Sequence, residues 1–341
     1  MPTRPTSATT GATAGVATAA VLALLLAGCG APSAGTAPSG AADAPEGFPL
    51  TVVNCGAEVT IEAPPQRVVL LKSAPVPALH ALGVLDRVVA RAGLYPAQYY
   101  DAATLAELET VPLLTDETDT DGHLQISREV VLAQRPDLVL GQVDSVDRAG
   151  LAAAGIPLLE EPALCPSGGP AEPSFEDVHD QLALYGRVFD RAARAEEFAG
   201  ELRERVAAVE RRVEESGRPR RTAAVLYPTV GGGVTYAYGR ASAATPQLDA
   251  AGFDNVFADV GERVFEVSGE ELLARDPDVL VLLHSDGDPA AVEAAVTSLP
   301  GAAALRAVRE DRVLTQLFNF TEPPTALTVT GLERIVGEFG P

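Results

Sequence analysis

Ile126-Ser127-Arg128-Glu129-Val130-Val131-Leu132-Ala133-Gln134-Arg135-Pro136-Asp137-Leu138-Val139-Leu140 is echoed by Val267-Ser268-Gly269-Glu270-Glu271-Leu272-Leu273-Ala274-Arg275-Asp276-Pro277-Asp278-Val279-Leu280-Val281. Each copy reads as a helix start, one short helix, a Pro-Asp break and an apolar strand. Ser127 and Ser268 are N-cap candidates, offering a hydroxyl to the unpaired N–H groups of a first turn. Glu271, three residues after Ser268, fits a capping box. Glu129 and Glu270 each follow two residues after the cap, where the positive end of the helix dipole favours a carboxylate. They either only stabilise their helices or form a matched pair of exposed carboxylates that dock on basic residues of a partner. A unit repeated in this way implies two similar α/β lobes in one chain.

Outward from the first copy, Leu50–Val53 and Glu58–Ile61 read as a hairpin around Asn54-Cys55-Gly56. Val68–Leu71, Val88–Ala92, residues 138–142 and Ile156–Glu160 read as strands. Helical patterns at Pro77–Leu82, Ala102–Glu109 and Ala149–Ala154 alternate with them. Apolar strands between helices are the pattern of a parallel sheet covered on both faces. A helical tract begins at Ser174, and a second helix runs from after Asp190 to about Ser216, with dense Glu/Arg pairs on its outer face. Around the second copy, Thr222–Tyr227, Thr235–Tyr238 and Val313–Gln316 read as strands. Ser242–Ala251, Ala290–Ser298 and Ala326–Phe339 read as helices.

The N-terminus has a different character. Residues 1–28 carry Arg4 and then a short apolar stretch, Ala17 to Ala27, as in an export signal. Leu26-Ala27-Gly28-Cys29 resembles a bacterial lipobox, which makes Cys29 a lipidation site; otherwise it is an ordinary secretory signal with an incidental cysteine. Residues 29–48, rich in Gly, Ala, Pro, Ser and Thr, read as a flexible tether. The expected organisation is a first lobe over 49–173, a connecting helix over 174–190 and a second lobe over 191–341. In an exported chain Cys55 and Cys165 are expected to form a disulfide within the first lobe, the alternative being two free thiols.

The formal charge of −22 argues against nucleic acid as a partner. Enzyme signatures are missing: there is no His-Glu-x-x-His, phosphate loop or Gly-x-Ser-x-Gly elbow. The four histidines lack metal-ligand spacing, which disfavours a zinc hydrolase or a free-ion receptor.

Pro65-Gln66-Arg67-Val68-Val69, residues 81–89 (Ala-Leu-Gly-Val-Leu-Asp-Arg-Val-Val), the two Pro-Asp units and residues 251–259 (Ala-Gly-Phe-Asp-Asn-Val-Phe-Ala-Asp) together resemble one family. It is the periplasmic binding proteins of the ferric siderophore, haem and vitamin B12 uptake class. The resemblance covers about residues 49–339. It implies two Rossmann-like α/β lobes with mostly parallel sheets, joined by a single long helix, with a ligand cleft between them. It further implies a lipid-anchored extracytoplasmic receptor, monomeric and not an enzyme, that binds a ferric siderophore and delivers it to an ABC permease dimer. Vitamin B12 or haem is the alternative cargo, and no resident cofactor or metal is implied. In that family one glutamate per lobe meets permease arginines, a role that falls here on Glu129 and Glu270.

Open parallel sheets bind ligands outside the carboxyl ends of their strands. The residues expected at such ends are Lys72, Tyr95, His123, Gln142, Tyr236, Tyr238, Arg240 and Phe318, with His284 a further candidate and Tyr99, Tyr100 and Phe320 close by. Aromatic rings offer rigid apolar area to a chelate, and Arg pairs with carboxylate or phenolate oxygens.

Overall fold

The computed structural model describes residues 46–119, 123–231 and 233–341. The expected export signal, Cys29 and nearly all of the expected tether lie outside these residues. The chain begins with a hairpin, β1 (Leu50–Asn54) and β2 (Ala57–Ile61), paired antiparallel. Its two-residue turn, Cys55-Gly56, has positive φ at both positions (52° and 73°), the geometry that matches the twist of paired strands.

The first large sheet has the order β4-β3-β5-β6. Its strands are β3 (Val68–Leu70), β4 (Val88–Arg91), β5 (Leu138–Leu140) and β6 (Leu158–Leu159). All pair in parallel. β3, β5 and β6 are buried at every residue, as expected of strands covered on both faces.

The second sheet contains β7 (Arg221–Pro228), β8 (Thr235–Tyr238), β9 (Phe253–Asn255), β10 (Val264–Glu266), β11 (Val279–His284) and β12 (Val313–Leu317). Its order is β10-β8-β7-β11-β12, with β9 also on β7. β11 runs parallel to β7 and β12, but β8 runs antiparallel to both β7 and β10. The loop 229–234 is too short for a parallel crossover, which needs a dozen or more residues. It closes as a hairpin, with Thr229 N donating to Val234 O at 2.9 Å.

The duplicated unit is realised twice. Ser127 caps the helix Arg128–Ala133 and Ser268 caps Gly269–Arg275. Arg135 and Asp276 both take positive φ just before the proline, which ends each helix. The following aspartate then ties the unit to its neighbouring strand. Asp137 accepts from Gln66 N and Arg67 N at 2.8 and 2.9 Å, and Asp278 accepts from Thr222 N at 2.9 Å. A conserved geometry at both places explains why the same dipeptide serves twice. Glu271 departs from the capping-box expectation: its carboxylate turns forward to Arg275 at 3.2 Å.

The segment 174–190 holds the helix Glu176–Val188, and the 24-residue helix Ala192–Glu215 follows it. Ala195, Ala199, Leu202 and Val206 form the buried stripe of the long helix. It packs against Val76–Ala81 from the first half and against Ala244–Ala250 and Ala326–Phe339 from the second. One apolar cluster accordingly joins Leu70 and Leu140 to Leu202, Val225 and Leu283.

Candidate functional site

The carboxyl ends of β3, β4 and β5 face the carboxyl ends of β11 and β12 across a cavity of about 470 Å³. Lys72 and Ser73 follow β3, Leu94 follows β4, and Gln142 to Asp144 follow β5. From the second half come Ser285, after β11, and Phe318 and Asn319, after β12. Tyr99, His123 and Leu164 complete much of the wall.

Lys72 is held at both ends of its side chain. Gly141, at φ +95°, lets the stem lie against the backbone; a Cβ there would come within 2.9 Å of the Lys72 Cγ. The Lys72 ammonium donates to Glu160 Oε2 at 2.8 Å. Glu160 is 1% exposed, and Gln142 N also donates to its Oε2, at 2.8 Å. Its Oε1 accepts from Glu161 N at 2.8 Å. Asn54 brackets the same residue, its amide donating to Glu160 O at 2.8 Å and its Oδ1 accepting from Glu160 N at 2.9 Å.

The next residue, Glu161, is buried in a different environment. Tyr185 donates to its Oε1 at 2.7 Å, and its Oε2 has no partner. Burial pushes its carboxyl up from 4.5 to about 7, against the lowering pull of the Tyr185 hydrogen bond. Cys165 follows shortly after and is disulfide-bonded to Cys55, with Cα atoms 5.2 Å apart. The bridge fixes the hairpin turn to the segment that brings Leu164 to the cavity.

The two halves also touch through polar bonds. Asn319 N donates to the Tyr99 hydroxyl at 2.9 Å, and Asn319 Nδ2 donates to Ser73 Oγ at 3.0 Å. The Tyr99 ring meets Phe320 edge-on, with centroids 5.2 Å apart. Phe318 is half-buried and meets Tyr227 edge-on at 6.2 Å.

Of the residues the sequence singled out, Lys72, His123, Gln142 and Phe318 come together on this cavity. Tyr95 does not present its hydroxyl there. It borders a neighbouring cavity of about 460 Å³ with His284, and its hydroxyl lies 3.2–3.4 Å from the carbonyls of Leu70, Ala92 and Lys72. Three further expectations are corrected. Because β8 is reversed, its carboxyl end points away from the ends of β7 and β11. Tyr238 is 3% exposed inside the apolar core, where burial pushes its phenol up. Tyr236 lies beside the carboxyl end of β7, opposite Tyr227 and Glu266, but it is not among the residues that line this cavity. Arg240 borders a separate depression with Glu172 and Asp249.

Glu160, Gly141 and Asn319 were missed. Glu160 read as the last residue of an apolar strand, yet a carboxylate at a strand's carboxyl end is itself a signal. Glu129 and Glu270 are both exposed at their helix starts. The Glu129 carboxyl is held below the usual range by a hydrogen bond from its own N–H and by the Ser127 hydroxyl. Among the described residues, no group of three or more His, Cys, Asp or Glu is placed to hold a metal, and no helix is long and apolar enough to cross a membrane.

A family model for periplasmic binding proteins matches residues 68–316. A crystal structure from Saccharomonospora viridis DSM 43017, described as an ABC-type Fe3+-hydroxamate transport system, is 60% identical. The alignment covers 86% of this chain and 100% of that one, with a TM-score of 0.81. A cobalamin-binding protein of Halobacterium salinarum is 29% identical over 268 residues, 72% of this chain. The match spans 64% of that relative's length. A periplasmic heme-binding protein from Roseiflexus sp. RS-1, 23% identical with a TM-score of 0.62 over 81% of this chain and 98% of its own, shares the fold.

Proposed function

The chain belongs to the periplasmic binding protein family, and on that premise we propose that it is an extracytoplasmic receptor for a ferric hydroxamate chelate, working with an ABC importer. The observation that carries the reading is the cavity between the strand ends of the two halves. Its walls are Leu71, Leu94, Tyr99, Phe318 and Pro323, broken by a few polar groups, which suits a compact organic shell around a metal. The 60% identity to a structure described as a hydroxamate transport system supports the ligand class. In this reading the ligand touches Lys72, His123, Gln142 and Phe318 between a lobe over 49–173 and a lobe over 191–341. Glu129 and Glu270 dock on the permease, and Cys29 carries a lipid anchor.

Titration with a neutral ferric trihydroxamate tests the reading, followed by quenching of tyrosine fluorescence, since the chain has no tryptophan. Saturable one-to-one quenching is expected, and Phe318→Ala should weaken it. The Halobacterium relative makes cobalamin the second reading. Saturable binding of cobalamin with none of the ferric chelate would favour it and overturn the first.

A further inference from the structure

We infer that Glu160 is a specificity-determining residue that cancels the charge of Lys72, so that the cavity selects chelates of zero or positive net charge over polyanionic ones. The inference rests on the ferric-chelate reading above and concerns which members of that class are taken.

Lys72 is the sole lysine of the chain. Among the described residues that line the cavity, it is also the sole lysine or arginine. A lone cation in a half-buried wall would ordinarily attract an anionic ligand, because screening by water is reduced there. Here its ammonium is spoken for. The side chain is 27% exposed, and the carboxylate it meets at 2.8 Å is 1% exposed. Glu160 does not depend on Lys72 for its own position: Gln142 N and Glu161 N donate to its two oxygens. Its carboxyl group is therefore held in place behind the wall whatever Lys72 does. A pair of this kind is not a cheap source of stability, since two ions must be partly removed from water. It does set the local field. Arg148, bonded to Asn54 Oδ1 at 2.6 Å, also acts on Glu160 from behind, and Asp144 is exposed on the lining, so the charge offered to a ligand is close to zero. A trianionic ferric complex would have to break the Lys72–Glu160 pair to find a cation and would then face Glu160 itself.

The experiment measures dissociation constants for three probes: a monocationic linear ferric trihydroxamate, a neutral cyclic one and a trianionic ferric tris-catecholate. The proteins are wild type, Glu160→Gln, Lys72→Gln and the double variant. Wild type should bind the first two and discriminate against the third. Glu160→Gln should improve the trianion relative to the monocation by about tenfold or more, and Lys72→Gln should shift the ratio by a similar factor in the opposite direction. The double variant should return close to the wild-type ratio. Opposite signs are the signature, because damage to the fold would weaken all probes alike. Should Glu160→Gln not fold, Lys72→Gln keeps the claim exposed: an unchanged ratio there overturns it. A wild type that binds the hydroxamates while both single variants leave the ratio unmoved, or move it the same way, overturns this inference alone. A wild type that binds none of the probes overturns the function reading and this inference with it.

Discussion

The two sheets build one cavity by unequal means. In the first, every strand runs the same way, so the residues after β3, β4 and β5 all arrive at the cleft. In the second, β7, β11 and β12 run parallel and the residues after β11 and β12 reach the cleft, but β8 is reversed, and Tyr238 at its end is buried elsewhere. The first half supplies the charged pair, Lys72 and Glu160. The second supplies the ring of Phe318 and the Asn319 bonds that reach across. Only the first half is cross-linked, by Cys55–Cys165. Strand direction, more than residue type, decides which side chains a ligand can meet.

The largest way to break this contrast is to remove the disulfide. Cys55→Ser with Cys165→Ser should cost about 2–5 kcal/mol by denaturant titration. Hydrogen exchange should rise mainly at β1, β2 and the segment around Cys165, with β11 changing less. A uniform loss of protection across both sheets would contradict the assignment of the bridge to one half.

A comparable effect is expected from pH, again in the first half. The Glu161 carboxyl is raised from 4.5 to about 7 by burial. A raised carboxyl favours the protonated folded state, so its stability is fully present below 4.5 and lost as pH rises through about 7. The loss should approach about 3 kcal/mol, and Glu161→Gln should flatten that part of the stability profile. An identical slope in the variant would remove the claim.

Next comes the direct test of strand direction. Phe318→Ala should weaken binding of a ferric trihydroxamate by about tenfold, the scale of a lost aromatic contact. Tyr236→Phe, on the reversed strand, should leave it within about twofold. Equal losses would mean that β8 also serves the cleft. The smallest effects belong to the duplicated caps: Ser127→Ala and Ser268→Ala should each cost about 1 kcal/mol or less, by thermal unfolding.

Much of this was legible in the sequence. The repeated helix–Pro-Asp–strand unit announced itself because a period of 3.6 changes to a short apolar run at a proline. Lys72, Gln142 and Phe318 could be placed because each lies at or just past the end of an apolar strand. Tyr238 was misplaced because an alternating run such as Thr235–Tyr238 says nothing of direction. The loop 229–234, with its glycines, did say it: a connection that short joins antiparallel strands. The bonds from Asn319 to Tyr99 and Ser73 were not legible, since their separations of 220 and 246 residues leave no local trace.

The most direct measurement is a crystal structure grown with a ferric trihydroxamate, with anomalous diffraction collected at the iron edge. A single iron peak inside the cavity, between Lys72 and Phe318, is the result expected. A peak beside β8, near Tyr236 or Arg240, or on the outer surface of either half, would contradict it.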